Sequence, residues 1–195
     1  MQKRQVLGWI KMLNALNLLG LALILALAFV AQFVFKELPC PLCLLQRLGL
    51  LAMGFGFLLN MHYRIRPAHY GFALLAAVFT VMVALRQMAL HVLPGIPGYG
   101  SAIFGLHMYT WCFIFGMAAI VYIAIVMMWA QQYDLSVIHQ DEISELQSAW
   151  GRRLTHLAFA LFFIMLAANV VALFFECGLH ECPDNPMGYA LLSMH

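Results

Sequence analysis

Two cysteines separated by two residues, Cys40 and Cys43, stand in "KELPCPLCLLQRLGL" (36–50), with Pro39 and Pro41 beside them and Arg47 four residues after the second. A Cys-x-x-Cys pair can close into a disulfide and be reopened by an attacking thiolate. Proline is tolerated at a first helical position, so the local sequence predicts a helix beginning near Pro41. Cys43 then lies in the first turn, where unpaired backbone N–H groups and the positive end of the helix dipole favour an anion. Arg47 follows one turn later on the same face, its Cβ about 5–6 Å away. Both influences select Cys43 over Cys40 as the stabilised thiolate.

An arginine just inside an apolar zone is costly and marks function; snorkelling to the interface is the ordinary alternative. A quinone-like group, apolar in ring and tail with carbonyl acceptors, suits a pocket holding Cys43 and Arg47, because the arginine can donate to a carbonyl and stabilise the reduced anion. The other readings of the pair are an inert disulfide or half of a zinc site, with Cys177, His180 and Cys182 as further ligands. The prolines and Arg47 are not what a closed thiolate cage needs, so no metal is expected.

The elements that must position these residues cross a membrane. Of 195 residues, 65% are hydrophobic and only 9% charged, and mean hydropathy is +0.90. A soluble domain carries roughly 25% charged residues. The net charge of +2 is too small to suggest nucleic acid, and no GxGxxG or GxxxxGK[ST] stretch supports dinucleotide or NTP chemistry. Five stretches are long enough to span, near 12–35, 42–61, 70–92, 104–130 and 157–175, given that about 20 apolar residues in a helix cross the hydrocarbon. They lack the alternation of a membrane barrel. The expected fold is all-α, a polytopic bundle forming one integral membrane domain over 1–195. Ala26-Leu27-Ala28 resembles a cleavage site, but the apolar run continues to Phe35, past the about 7–15 residues of a signal core. The first span therefore reads as a retained anchor.

Basic residues in short loops set orientation. Lys3, Arg4, Lys11, Arg64, Arg66, Arg152 and Arg153 fall on one side, while Lys36, Arg47 and Arg86 lie on the other. The N-terminus is thus expected in the cytoplasm and the C-terminus outside, with Cys40, Cys43, Cys177 and Cys182 all on the oxidising side. The link "PGIPGYGS" (94–101) is a Pro/Gly turn, and 131–156 is the largest inner loop, with room for an amphipathic surface helix. Asn14, Asn17 and Asn169 read as interhelical hydrogen-bonding groups. Cys112 reads as an apolar filler.

The stretch "LPCPLCLLQR" resembles the DsbB family of quinone-dependent disulfide oxidases, with weaker support from "LRQMALHVLPG" (85–95) and "GYGSAIFGLHMYTW" (98–111). The resemblance covers about residues 1–130. It implies a four-helix core in the bacterial inner membrane that re-oxidises a periplasmic, DsbA-like thioredoxin-fold oxidase and passes the electrons to ubiquinone or menaquinone. It also implies Cys40 and Cys43 as the redox pair, Cys43 nearer the quinone, and Arg47 as its electrostatic partner. Arg86 and His91, at the outer end of the third span, become candidates for the quinone pocket; His91 is equally an ordinary interface residue. Family members carry a second cysteine pair in a long outer loop. Here 93–103 is short and cysteine-free, and a fifth, C-terminal span is followed by "FECGLHECPDNPMGYALLSMH" (175–195). Cys177 and Cys182 either replace that missing pair as a relay or form a static staple. Two other function classes compete: a membrane haem electron carrier using His91 and His107 or His62, His69 and His156, and a non-catalytic accessory subunit of a membrane complex.

Overall fold

The computed structural model describes residues 2–92, 98–138, 149–180, 182, 188–189 and 191. Among them the elements run α1 (Gln2–Val34), α2 (Pro41–His62), α3 (Pro67–Leu90), β1 (Ala102–Ile103), β2 (Leu106–His107), α4 (Met108–Met127), α5 (Gln131–Ile138) and α6 (Ala149–Cys177). Five helices are long and apolar enough to cross a membrane: Leu7–Val34, Pro41–His62, Pro67–Leu90, Met108–Met127 and Trp150–Cys177. The all-α membrane bundle is therefore present.

The span limits differ from those read off hydropathy for two reasons. The first and fifth helical spans start earlier than expected and take in Lys11 and Arg152–Arg153, because long basic side chains can reach water from a helix that continues past the hydrocarbon. The fourth starts later, at Met108, because residues 102–107 form a small antiparallel hairpin pairing Ala102 with His107 and Ile103 with Leu106. Its turn uses Phe104 at φ 53° and Gly105 at φ 80°. The segment 131–156 holds a short helix, α5; residues 139–148, where the rest of that expectation falls, lie outside the described residues.

Local sequence explains the boundaries nearest the cysteines. Helix α1 ends where Lys36 turns left-handed at φ 57° and the Glu37 N–H returns to the Ala31 carbonyl at 3.3 Å. Three residues later Cys40 caps α2 with extended backbone, and Pro41 fills the first helical position. Proline lacks only an N–H that a first turn leaves unpaired anyway.

Helix α1 packs on α2, α2 on α3 and α3 on α4, while α6 lies against α1. The Asn17 amide donates to the Tyr122 hydroxyl at 2.7 Å, tying α1 to α4. Asn14 donates to the Tyr70 hydroxyl at 2.9 Å, tying α1 to α3. These bonds do the interhelical work expected of them. Asn169 instead donates to Met165 of its own helix at 2.8 Å. The α2–α3 contact is close because Gly56 faces Ala73 and the His69 carbonyl; a Cβ at Gly56 would lie 2.7 Å from each. Small residues at such crossings let membrane helices approach within van der Waals reach.

Candidate active site

The cap of α2 brings the two cysteines together. The Cys43 N–H donates to Cys40 Sγ at 3.3 Å, and the two sulfurs lie 2.7 Å apart as free cysteines. A bonded pair sits at about 2.05 Å, so bond formation needs only a small side-chain movement. Cys40 is buried and Cys43 half-buried. The Cys40 thiol is held above the ordinary range, first by its hydrogen bond with Cys43 and then by burial.

A carboxamide from the neighbouring helix serves both sulfurs. Gln87 Nε2 on α3 donates to Cys40 Sγ at 3.3 Å and to Cys43 Sγ at 3.4 Å. Gln46 Nε2 donates to Gln87 Oε1 at 2.7 Å, which leaves the NH₂ end of Gln87 for sulfur. Both glutamines are buried.

Arg47 reaches across to α1. It donates to Gln32 Oε1 at 2.8 Å and to the Ala28 carbonyl at 3.0 Å, and its guanidinium carbon sits 5.0 Å from the Phe29 ring centroid. At 8% exposure it is an interior group, so it does not snorkel to water. Two of its five N–H donors are used in these bonds.

Between these helices lies a cleft of about 640 Å³, counting its open mouth, whose walls include Ala28, Cys43, Arg47, Gln87, Tyr99 and Cys112. Cys112 is thus a wall residue rather than simple filler. The loop above is tied down at its base. The Tyr99 hydroxyl donates to the Leu38 carbonyl at 2.5 Å, and the Ser101 N–H and hydroxyl both donate to Glu37 Oε1. Burial pushes the Tyr99 phenol above its usual range, which keeps it a neutral donor.

The remaining candidates are placed differently. Arg86 is exposed and is not among the residues lining the cleft. Its neighbour Gln87 takes the inward position. His91 stacks on Tyr109 at 5.5 Å, with Nδ1 2.8 Å from the Gln87 carbonyl, and stands behind the Tyr109 wall rather than in the cleft. His107 stacks on Tyr109 as well, at 5.3 Å. His91 and His107 thus share one tyrosine ring as their stacking partner.

Cys177 and Cys182 form a disulfide, with Cys177 buried. Beyond it the tail folds back: the Leu191 N–H donates to the Phe175 carbonyl at 3.3 Å, and Gln32 Nε2 donates to the Tyr189 hydroxyl at 3.4 Å. Gln32 therefore links Arg47 to the tail, and both cysteine pairs sit at one end of the bundle. Sequence reasoning missed Gln32, Gln46, Gln87 and Glu176. A signal was available for Gln32 and Gln46, each a polar residue inside an apolar helix; Gln87 stood beside the more conspicuous Arg86, and Glu176 at a helix end.

Residues 10–97 match the family model described as Disulfide bond formation protein DsbB. Two curated relatives bear the name Disulfide bond formation protein B. The one from Chromohalobacter salexigens is 35% identical over 95 residues, covering 45% of this chain and 55% of that protein. The one from Chromobacterium violaceum is 37% identical over 93 residues, covering 42% and 56%. The chain thus spans little more than half the length of the relatives it matches. The family match includes the first three spans and both glutamines of the cysteine site, and it stops before α4, the fifth span and the tail pair. No solved structure matches.

Proposed function

We propose that this chain, whose residues 10–97 match the DsbB family model and resemble two disulfide bond formation proteins B, is a membrane thiol oxidase of that family that passes electrons from the Cys40–Cys43 pair to a membrane quinone, ubiquinone or menaquinone. The observation that carries this reading is that Cys43 and Arg47 open onto one cleft between helices, with Cys40 in reach of Cys43.

The walls of the cleft offer the groups a quinone head needs. Arg47 keeps donors beyond those bonded to Gln32 and Ala28, and the apolar side chains of Ile24, Ala28 and Leu50 line the same cleft as Cys43. Arg47, Gln87 and Tyr99 would hold the quinone. A bound quinone supplies an acceptor for two electrons and two protons. Cys43 acts as the electron-donating thiolate, favoured by the first-turn amides and Arg47. Cys40 keeps its proton until it bonds to Cys43. Gln87 holds both sulfurs in register, and the Tyr99–Leu38 clasp covers the pair.

The protein dithiol that refills the pair belongs to a periplasmic thioredoxin-fold oxidase of the DsbA type. Seven of the ten basic residues sit on one side, and the positive-inside rule puts that side in the cytoplasm of a bacterial inner membrane. Both cysteine pairs then face the periplasm. Cys177 and Cys182 serve as the outer pair that meets the partner, a role supported by the tail's attachment to Gln32 at the same end of the bundle. The whole of 1–195 works as one membrane domain in this reading.

Anaerobic mixing of the purified protein with a reduced thioredoxin-fold dithiol and a soluble quinone analogue tests it. Wild type should form quinol in step with protein disulfide, and Cys43→Ser should form none. Equal rates for both proteins would overturn the assignment.

A further inference from the structure

The five membrane spans contain one carboxylate, Glu176. It is 1% exposed, and neither carboxyl oxygen has a hydrogen-bond partner among the described residues. A buried carboxyl without a partner is costly and marks function when it lies within a membrane. Its electrostatic neighbours are Arg47 and Cys43, both of α2, and Tyr99 of the outer loop feels its charge. Arg47 in turn interacts electrostatically with Cys43, Glu176, Cys112 and the tail residue Tyr189, and through Gln32 it is linked by hydrogen bonds to that tail. One buried cation is therefore shared by two groups able to carry a negative charge, the Cys43 sulfur and the Glu176 carboxyl.

A site of low dielectric tolerates one uncompensated charge poorly and two like charges worse. With Cys43 a thiolate, Arg47 is balanced and a second anion at Glu176 is disfavoured. Once Cys43 enters a disulfide its charge is gone, and Arg47 favours an anion at Glu176. The two groups exchange one negative charge according to the redox state of the pair.

We propose that Glu176 is the proton site coupled to the Cys40–Cys43 pair, protonated while the pair is reduced and ionised while it is a disulfide. The reduced site holds a Cys40 thiol, a Cys43 thiolate and a protonated Glu176. On oxidation the Sγ–Sγ bond forms and two electrons leave for the quinone. The Cys40 S–H and Glu176 O–H bonds break, and their two protons supply the two that make quinol. Glu176 is left as a carboxylate beside Arg47. When an incoming dithiol reduces the disulfide, two electrons return; one dithiol proton goes to Cys40 and the other to Glu176. The site stays neutral throughout, with Arg47 balanced first by sulfur and then by oxygen. This inference rests on the quinone-reducing reading above.

The test uses full-length protein freed of quinone. The Cys40–Cys43 pair is poised at fixed applied potential across a pH series around neutrality, and its redox state is read by site-resolved mass tagging. Each proton taken up on reduction changes the ratio of reduced to oxidised pair about tenfold per pH unit. Wild type should show about hundredfold per unit, for two protons, and Glu176→Gln about tenfold. Glu176→Asp should restore the wild-type slope. In the reduced-minus-oxidised infrared difference spectrum, wild type should gain a protonated-carboxyl band that Glu176→Gln lacks. Equal slopes in wild type and Glu176→Gln, or no such band in wild type, overturn the proposal. Quinol formation by wild type is scored separately, so loss of the proton coupling with intact turnover counts against Glu176 alone. Absent turnover counts against the enzymatic reading alone.

Discussion

Arg47 donates to Gln32 across the α1–α2 contact at 2.8 Å, and makes no hydrogen bond to Cys43 among the described residues. Its influence on the sulfur is that of a positioned charge, and its position is set by α1. Removing one buried hydrogen bond to a charged group costs about 1.5–3 kcal/mol, which corresponds to roughly ten- to hundredfold in rate. Arg47→Ala should therefore lower kcat/KM for a soluble quinone by about that factor. Gln32→Leu leaves the charge but loosens it, and should cost several-fold. Arg47→Lys should fall between, since an ammonium cannot reproduce a fork that bonds Gln32 and Ala28 together. Steady-state quinone reduction by the three variants checks the order; an alanine variant as fast as wild type would remove Arg47 from the site.

How much of this arrangement the sequence revealed depends on which physical effect dominates at each position. The cap at Cys40 and the first-turn place of Cys43 were legible, because proline and helix-end electrostatics are local. The choice between Arg86 and Gln87 was not. Adjacent helical residues point about 100° apart, so only one of the two can face α2. Charge drew attention to Arg86, yet the interior admits the neutral amide more cheaply, and Gln87 is the buried one. Glu176 was hidden for a related reason: it precedes Cys177 at a helix end, where composition alone reads as the start of a polar tail. The hairpin at 102–107 escaped because two-residue strands leave no periodic pattern.

The Cys40 thiol is held above the ordinary range chiefly by Cys43, with burial second. A thiol so raised keeps its proton in the folded protein at pH values where the unfolded chain has already lost it. The stability this contributes is full below the unfolded thiol's range and declines as pH rises above it. Only thiolate is alkylated at a useful rate. In the reduced protein, site-resolved iodoacetamide labelling of Cys40 should therefore rise at a higher pH than in the denatured chain. Cys43→Ala removes the first cause and leaves burial, so its profile should move part of the way back. A Cys40 profile indifferent to that substitution would mean the hydrogen bond does not act.

Gly56 tests the packing that carries Gln87 to the cysteines. A Cβ there would come within 2.7 Å of Ala73 Cβ and of the His69 carbonyl oxygen, closer than atoms in a well-packed interior approach. Neither neighbour can swing away, one being a methyl on α3 and the other its backbone. The helix propensity gained by Gly56→Ala, about 1 kcal/mol, competes with an overpacking cost of about 1–3 kcal/mol. The substitution should lower the thermal midpoint in detergent and weaken the α2–α3 contact. Gly20, where an added Cβ would meet nothing within 4 Å, provides the control: Gly20→Ala should be neutral or stabilising. A Gly56→Ala protein as stable as that control would show that α2 and α3 are less tightly opposed than these distances require.

The tail pair separates a relay from a staple. Cys177 ends α6 and is buried, its disulfide to Cys182 spans a sequence separation of 5, and the chain beyond it bonds to Phe175 and Gln32. A bond closing so small a loop constrains the unfolded chain only modestly, so stabilisation gives a weak reason for its presence. A relay gives a stronger one, because Cys40 is buried and a protein dithiol needs a more accessible sulfur to attack; Cys182 is partly exposed. Replacing both Cys177 and Cys182 by serine should abolish oxidation of a thioredoxin-fold dithiol while leaving oxidation of a small dithiol such as dithiothreitol largely intact, since the small reagent can enter the cleft at Cys43. Quinol formation measured with the two reductants in parallel gives the answer. Retained oxidation of the protein substrate would reduce the pair to a staple. Loss with both substrates, together with a lowered thermal midpoint, would show that the disulfide is needed to hold Tyr189 against Gln32 and thereby Arg47 in place.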